Sequence, residues 1–169
     1  MVMVYFSVFL TTAGWAGLQA SNSGLQRVIL PRKSDSEVRK LLSAGAEEKP
    51  DTFTDIQKRL CAYFSGRRTD FPDKLDFSGA TDFQKRVWKA TRLIPYGVMQ
   101  NYQWIAAQIG RPGAARAVGN ALGKNPVPVI VPCHRVIASD GGLGGFTGGI
   151  SVKILLLRLE GHQVFKIPL

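Results

Sequence analysis

The first charged side chain of this 169-residue chain is Arg27. An uncharged opening of 26 residues can be a leader, a membrane segment or buried sheet, and its internal order decides among them. No Lys or Arg precedes the apolar stretch, and Gly14, Trp15 and Gly17 interrupt it; both facts argue against a secretory leader. No run approaches the ~18 apolar residues of a membrane span. Strands remain. Residues 2–10 are rich in β-branched and aromatic side chains. Residues 15–20 and 25–30 flank the turn-forming Ser21-Asn22-Ser23-Gly24, which predicts a hairpin closed by Pro31.

Helical signals follow. Ser34 with Glu37 three residues on predicts a capped helix over 34–42. A polar loop is expected at 45–51. Ile56, Leu60, Tyr63 and Phe64 recur at helical spacing and predict a helix over 54–64. Strands then helices within this length indicate a small α/β (α+β) domain over 1–76. Pro72 and Gly79 mark a boundary, and 77–169 read as a second domain. Thr81 and Gln84 resemble a capping box, and Phe83, Val87, Ala90 and Ile94 share one face of the helix they open. Asn101 is placed to cap a helix over 102–109. Gly110-Arg111-Pro112-Gly113 then turns the chain into a helix over 114–122, which together make a helix-turn-helix. The pattern alone leaves a DNA-binding pair and a plain structural corner equally open. The second of these helices is built from Ala114, Ala115, Ala117, Gly119 and Ala121 with Arg116 among them. A major-groove reader would present several long polar side chains. This helix suits close backbone approach, as in minor-groove entry.

Charge supports the same direction. Residues 1–77 hold eleven basic and nine acidic residues, whereas 78–169 hold eleven basic and three acidic. A concentrated basic half favours a polyanion partner over a general charge bias. Two cysteines exclude a disulfide scaffold, and the spacing of two Cys and two His does not look like a metal site.

Val129-Ile130-Val131, expected as a buried strand or extended segment, delivers Pro132-Cys133-His134-Arg135-Val136. Residues 140–149 then hold six glycines, without the Lys-Ser/Thr ending of a phosphate loop. A final helix over 151–159 is expected to bury Ile150, Ile154, Leu155 and Leu157. Cys61 fits the usual buried, inert cysteine. Cys133 differs because His134 and Arg135 follow it at once, an imidazole and a basic surround that would raise its thiolate fraction. Adjacent side chains of an extended chain point apart, so the pair needs a turn or a bridging water to communicate. Past Phe83 the only carboxylates beyond Asp82's turn are Asp140 and Glu160, and Glu160 is the better candidate to orient the imidazole. A Cys–His–carboxylate relay on a basic scaffold fits alkyl transfer to sulfur. It also fits a cysteine hydrolase, whose oxyanion donors the glycine loop could supply.

These residues together resemble the O6-alkylguanine-DNA alkyltransferase family. The resemblance rests on Pro132-Cys133-His134-Arg135-Val136, Asn125-Pro126, Ala115-Arg116-Ala117-Val118-Gly119, Phe83-Gln84 with Val87-Trp88, Ile94-Pro95-Tyr96-Gly97, Glu160-Gly161 and the glycine-rich loop. It runs without a gap over roughly 77–162 and is loose over 1–76. It implies an N-terminal ribonuclease-H-like α/β domain and a C-terminal winged-helix domain that binds double-stranded DNA through the minor groove and flips the damaged guanine. By resemblance, Cys133 is the alkyl acceptor, His134 activates it through a water, Glu160 orients His134, Tyr102 donates a proton to the leaving guanine, and Asn125 ties the recognition helix to the active-site turn. Arg116 fills the gap in the base stack, with Ala114, Ala115 and Gly119 as groove contacts. The Val136 carbonyl and the Thr147 amide read the guanine, and Phe146 packs in the pocket where many members carry Tyr. Thr147 replaces a smaller residue, which narrows the pocket. The expected activity is irreversible, single-turnover transfer by a cytoplasmic monomer (nuclear in a eukaryote), without cofactor, metal or membrane. Some members hold an N-terminal zinc, but residues 1–77 offer only Cys61 and no His. The alternative is a non-catalytic protein that binds alkylated DNA or regulates.

Overall fold

A computed structural model describes residues 1–146 and 148–163, so the expectation for Thr147 falls outside the described residues. The chain forms two compact units. The first comprises Met1–Gly79 with Pro126–Ile130, and the second Ala80–Asn125 with the chain from Val131 onward.

The first unit is built on a four-stranded sheet. Strands β1 (Val4–Thr11), β2 (Gly14–Ser21) and β3 (Gly24–Arg32) form an antiparallel meander. The short β4 (Glu47–Glu48) pairs with β1 in parallel, giving the order β3-β2-β1-β4. The uncharged opening is therefore sheet. Its most apolar strand is not its most buried one. β2, with two glycines, two alanines, a glutamine and a serine among its eight residues, is covered from Ala16 to Ser21 because it has a full-length neighbour on each side. β1 meets only two residues of β4 along its outer edge, and Leu10 stays exposed.

Helix α1 (Asp35–Arg39) starts at Ser34, whose hydroxyl accepts the Glu37 N–H, and it stops three residues short of the expected end. Its one buried side chain, Val38, packs on the sheet. α2 (Thr54–Phe64) spans the expected residues and buries Ile56, Leu60, Tyr63 and Phe64. Three expectations need correction. Pro31 lies inside β3 rather than closing it, which an edge strand allows because one side needs no N–H donor. The expected loop at 45–51 contains β4 and the start of a 3₁₀ turn, Pro50–Phe53, because pairing there uses backbone groups that side-chain polarity does not reveal. Residues 129–131 are buried but form no strand: Val129 is left-handed at φ 74°, and Pro126, Pro128 and Pro132 remove the donors a ladder would need.

The second unit is mainly helical. α3 (Asp82–Thr91) opens with a complete Thr81–Gln84 capping box and buries Val87, Trp88 and Ala90. α4 (Tyr102–Gln108) is capped by Asn101, whose side chain accepts the Trp104 N–H at 2.8 Å. α5 (Ala115–Gly123) packs on both, and Trp88 Nε1 donates to the Ala121 carbonyl at 2.9 Å. β5 (Gln100–Asn101) pairs in parallel with β6 (Val136–Ile137). α6 (Ile150–Leu159) ends the described fold. Its buried residues are Lys153, Leu156 and Leu157, whereas Leu155 is exposed and Ile150 and Ile154 are half-buried. Apolar residues on nearly every side of α6 hid its inward face from hydropathy alone. Among the described residues, no helix is long and apolar enough to cross a membrane.

The packing of α1 on β2 leaves no room at Gly17, where an added Cβ would lie 2.5 Å from Val38 Cγ1 and 3.3 Å from Ile29 Cβ. Overpacking of this kind costs about 1–3 kcal/mol. Gly17→Ala is expected to lower the unfolding free energy by that amount, seen as a lower urea midpoint at unchanged slope; an unaltered midpoint would show that α1 yields freely.

Candidate active site

The turn that carries Cys133 is a single 3₁₀ turn, Cys133–Arg135. Pro132 stands at its start, and Cys133 and Arg135 donate their N–H groups to the Val131 and Pro132 carbonyls at 2.8 and 3.0 Å. This turn takes Cys133 and His134 out of the extended backbone in which adjacent side chains point apart. All three of its side chains are buried.

Glu160, at the C-terminal cap of α6, receives the donors of this turn and of a second one. His134 Nε2 lies 2.7 Å from Glu160 Oε1, and neither side chain is exposed. Arg135 Nε donates to Oε2 at 2.9 Å and Nη2 to Oε1 at 2.9 Å. The Gly97 N–H donates to Oε2 at 3.1 Å from a left-handed φ of 77°. Arg135 also donates through Nη1 to the Ile94 carbonyl at 2.6 Å, and Tyr96 donates to the Leu159 carbonyl at 3.0 Å. Burial would raise the Glu160 carboxyl, but hydrogen bonds from His134 and Arg135 overcome it and hold the group far below the usual carboxylate range. Burial lowers His134, against the pull of Glu160, so the resting imidazole is neutral. An ionised acceptor at Nε2 fixes the proton there, which makes Nδ1 the ring nitrogen able to accept a proton.

Asn125 follows α5 directly. Its Nδ2 donates to the Val131 carbonyl at 2.9 Å and to Cys133 Sγ at 3.2 Å. Burial raises the Cys133 thiol, while the Asn125 donor, the Lys153 charge and the N–H groups of Cys133 and His134 work in the opposite direction. The resting sulfur is a thiol with anion-stabilising groups already placed around it. Cys61 differs: it is half-buried, donates to the Leu10 carbonyl at 3.7 Å, and is raised by burial without such partners.

Cys133 opens into a cavity of about 910 Å³ lined by Tyr102, Arg116, Gly119, Gly145 and Phe146, among others. This is within the range of small-molecule sites, about 300–1,000 Å³. Ala115 also lines it. Two glycines set its width. An added Cβ at Gly144 would meet the Tyr102 hydroxyl at 2.6 Å, and its φ of 68° independently disfavours a side chain. A Cβ at Gly119 would make ordinary contact with the Tyr102 ring at 3.7 Å, so the α5 helix closes on that ring through its smallest residue. Burial and the nearby Cys133 sulfur raise the Tyr102 phenol, partly opposed by the Gly145 N–H, so it stays protonated.

The structure thus brings Cys133, His134, Glu160, Asn125, Tyr102, Arg116, Ala115, Gly119 and Phe146 to one site. Ala114 lines a separate, smaller cavity with Arg86 and Arg111. Val136 is buried, and its carbonyl accepts Lys153 Nζ at 2.6 Å. Sequence reasoning gave Arg135 only a place in the basic surround of Cys133, where it in fact binds Glu160 and the Ile94 carbonyl, and gave no role to Gly97 or Lys153. For Lys153 a signal existed: residues 153, 156, 157 and 160 fall at i, i+3, i+4 and i+7, which puts this lysine on the inward face with Glu160.

Residues 82–162 match the family described as 6-O-methylguanine DNA methyltransferase, DNA binding domain. A methylated-DNA–protein-cysteine methyltransferase of Methanosarcina barkeri is 42% identical over 162 residues, covering 95% of this chain and 99% of that protein. One of Mycobacterium leprae is 53% identical over 112 residues, covering 66% and 67%. The crystal structure of Mycobacterium tuberculosis OGT in complex with DNA superposes with a TM-score of 0.79 at 43% identity, covering 92% of each chain.

Removing one partner of a buried ion pair costs about 3–5 kcal/mol, because the other charge is left uncompensated. Glu160→Gln is therefore expected to lose about that much stability at pH 7. The native carboxyl titrates below its ordinary value of 4.5, so its stabilisation is complete above that pH and is lost as the pH falls through the native value. Urea unfolding should show the gap between wild type and Glu160→Gln narrowing from pH 5 to pH 3. A gap that stays constant would mean that Glu160 is not ionised in the fold.

Proposed function

This chain belongs to the O6-methylguanine-DNA methyltransferase family, and from that membership we propose that it repairs double-stranded DNA by moving the alkyl group of O6-alkylguanine irreversibly to Cys133. The observation that supports this best is a buried sulfur that faces an Asn125 donor, lies next to the His134–Glu160 pair in the chain, and shares one cavity with the Tyr102 phenol and a small-residue helix. A protein that only binds the lesion has no use for the groups that prepare Cys133 to ionise. A hydrolase would form a thioester that water cleaves and so would turn over, whereas alkyl transfer ends in a thioether that offers no good leaving group.

The chemistry follows from the placement. Cys133 passes its proton to Nδ1 of His134, directly or across one water, and the imidazolium formed is stabilised by the Glu160 carboxylate at Nε2. The sulfur, facing the Asn125 amide, attacks the alkyl carbon. The S–C bond forms as the C–O6 bond breaks, and Tyr102 supplies a proton to the departing guanine. The proton lost by Cys133 balances the one Tyr102 gives. The products are guanine and a thioether, so each molecule acts once. Arg116 is exposed on α5 at the mouth of the cavity and holds the place of the extruded base, with Ala114, Ala115 and Gly119 against the minor groove. The Val136 carbonyl and the Thr147 amide read the base, and Phe146 packs on it. The unit of Ala80–Asn125 with the chain from Val131 onward serves as the DNA-binding and active-site domain, and Met1–Gly79 with Pro126–Ile130 as the N-terminal one, in place of the expected division at 76/77. The need for a reduced thiol places the protein in the cytoplasm, or the nucleus in a eukaryote, acting as a monomer.

Cys133→Ala should bind a duplex with one O6-methylguanine as wild type does while leaving the methyl group on the DNA. Retained transfer would remove Cys133 from the reaction. Arg116→Ala should slow repair of the duplex far more than reaction with free O6-benzylguanine, since only the duplex requires flipping. An equal loss on both substrates would give Arg116 another task.

A further inference from the structure

Helix α5 has a cavity on each flank. At 3.6 residues per turn, Ala115, Gly119 and Gly123 run along one side and face the cavity that holds Cys133. Ala114 and Ala117 run along the other and face a separate cavity of about 390 Å³. That second cavity is completed by Asp82, Phe83 and Arg86 of α3 and by Arg111 of the turn between α4 and α5. Both arginines are exposed to solvent. Arg86 is anchored at one point, since Nη2 donates to the Ile109 carbonyl at 2.8 Å. The Arg111 backbone is fixed as well: its N–H donates to the Ala106 carbonyl at 2.8 Å, and its carbonyl accepts the Ala114 N–H at 2.9 Å. Among the described residues neither guanidinium forms an ion pair, not even with Asp82 at the rim.

Two cations held on fixed backbone in one concave site, with no carboxylate partner, match an anion. A guanidinium carries five N–H donors in a planar fork suited to phosphate, and Arg86 commits only one group to Ile109. The lining carries two positive charges against the one of Asp82, which suits a single phosphate. A duplex brings that phosphate to the right place. An α-helix is about 10 Å across and the minor groove about 6 Å wide, so a helix seated there presses on both sugar–phosphate walls. The flank facing Cys133 receives the extruded nucleotide and therefore runs along the lesion strand. The flank of Ala114 and Ala117 then runs along the complementary strand. Lys89, exposed three residues beyond Arg86, continues the positive edge along α3.

We propose that Arg86 and Arg111 clamp one phosphate of the strand opposite the lesion, so that α5 is held from both sides while the damaged guanine is extruded on the Cys133 side. This rests on the DNA-repair reading of the chain. The clamp touches no base edge, so it sets the depth and orientation of α5 without sequence preference. A free guanine base has no phosphate and does not engage it.

The test measures binding to a duplex with one O6-methylguanine across a salt series, in a Cys133→Ala background so that no transfer intervenes. Arg111→Ala and Arg86→Gln are compared with that parent, and Lys58→Ala, exposed on α2, controls for the loss of one charge. Losing one phosphate contact lowers the log–log salt slope by about 0.9, which is about eightfold in affinity at about 0.1 M salt. Arg111→Ala should show both changes, as should Arg86→Gln, which keeps a donor for Ile109. Lys58→Ala should show neither. A neutral methylphosphonate is then placed at one phosphate at a time in either strand. One position opposite the lesion strand should weaken the parent by a similar factor and leave Arg111→Ala unaffected. With Cys133 restored, Arg111→Ala should slow transfer from the duplex, below saturation, far more than transfer from free O6-benzylguanine. The proposal is overturned by a folded Arg111→Ala with parental affinity and slope, by an equal loss in Lys58→Ala, by a responsive phosphate in the lesion strand, or by equal slowing on duplex and free base. If Arg86→Gln does not fold, the exposed Arg111→Ala decides alone. Wild type that neither binds nor repairs a duplex at low salt defeats the DNA-repair reading and the clamp together. Wild type that repairs the duplex as fast as Arg111→Ala does defeats the clamp alone.

Discussion

A carboxylate shut away from water must be surrounded by donors, and Glu160 organises the second unit by that requirement. Its partners come from the Pro95–Gly97 turn, from the Cys133–Arg135 turn and, through its own position, from the end of α6. Moving any one of these segments would strand a buried charge, whose cost is several kcal/mol. The left-handed Gly97 and the Arg135 link to the Ile94 carbonyl both follow from this demand. The same ionised group fixes the His134 tautomer. One electrostatic constraint thus sets both the fold around the site and the direction in which a proton can leave Cys133.

The site holds its nucleophile in reserve. Burial keeps the Cys133 sulfur protonated, and burial also keeps His134 neutral and Tyr102 protonated. Cys133, His134 and Tyr102 thus rest in the uncharged forms that precede transfer, beside a Glu160 that is already ionised. For a protein that spends itself in a single reaction, this arrangement limits waste on stray electrophiles. The small residues of α5 and the glycines at 119 and 144 serve the same end differently, by letting backbone and phenol close around the cavity without filling it.

Much of this was legible in the sequence where the determinants are local. The caps at Ser34, Thr81 and Asn101 are set within three residues, and each is formed as read. The His134–Glu160 pair was legible because the basic half has so few carboxylates to choose from. Features that depend on distant main-chain groups were not. Arg135 finds the Ile94 carbonyl 41 residues away, and Gly97 finds Glu160 across 63. β4 exists only because backbone groups of Glu47 and Glu48 meet β1. Val129 to Val131 look like a strand by side chain, but neighbouring prolines deny them one. Lys153 was hidden because a charge on an apolar helix is usually assigned to its solvent side, and the inward periodicity was the cue that would have placed it.

The transfer itself is tested most directly by intact-protein mass after incubation with a duplex holding one O6-methylguanine, followed by peptide mapping. A gain of one methyl group, saturating at one per protein and located on the peptide containing Cys133, is the expected result. An unchanged mass, with the lesion still in the DNA and the protein bound to it, would contradict alkyl transfer and make this chain a lesion-binding protein.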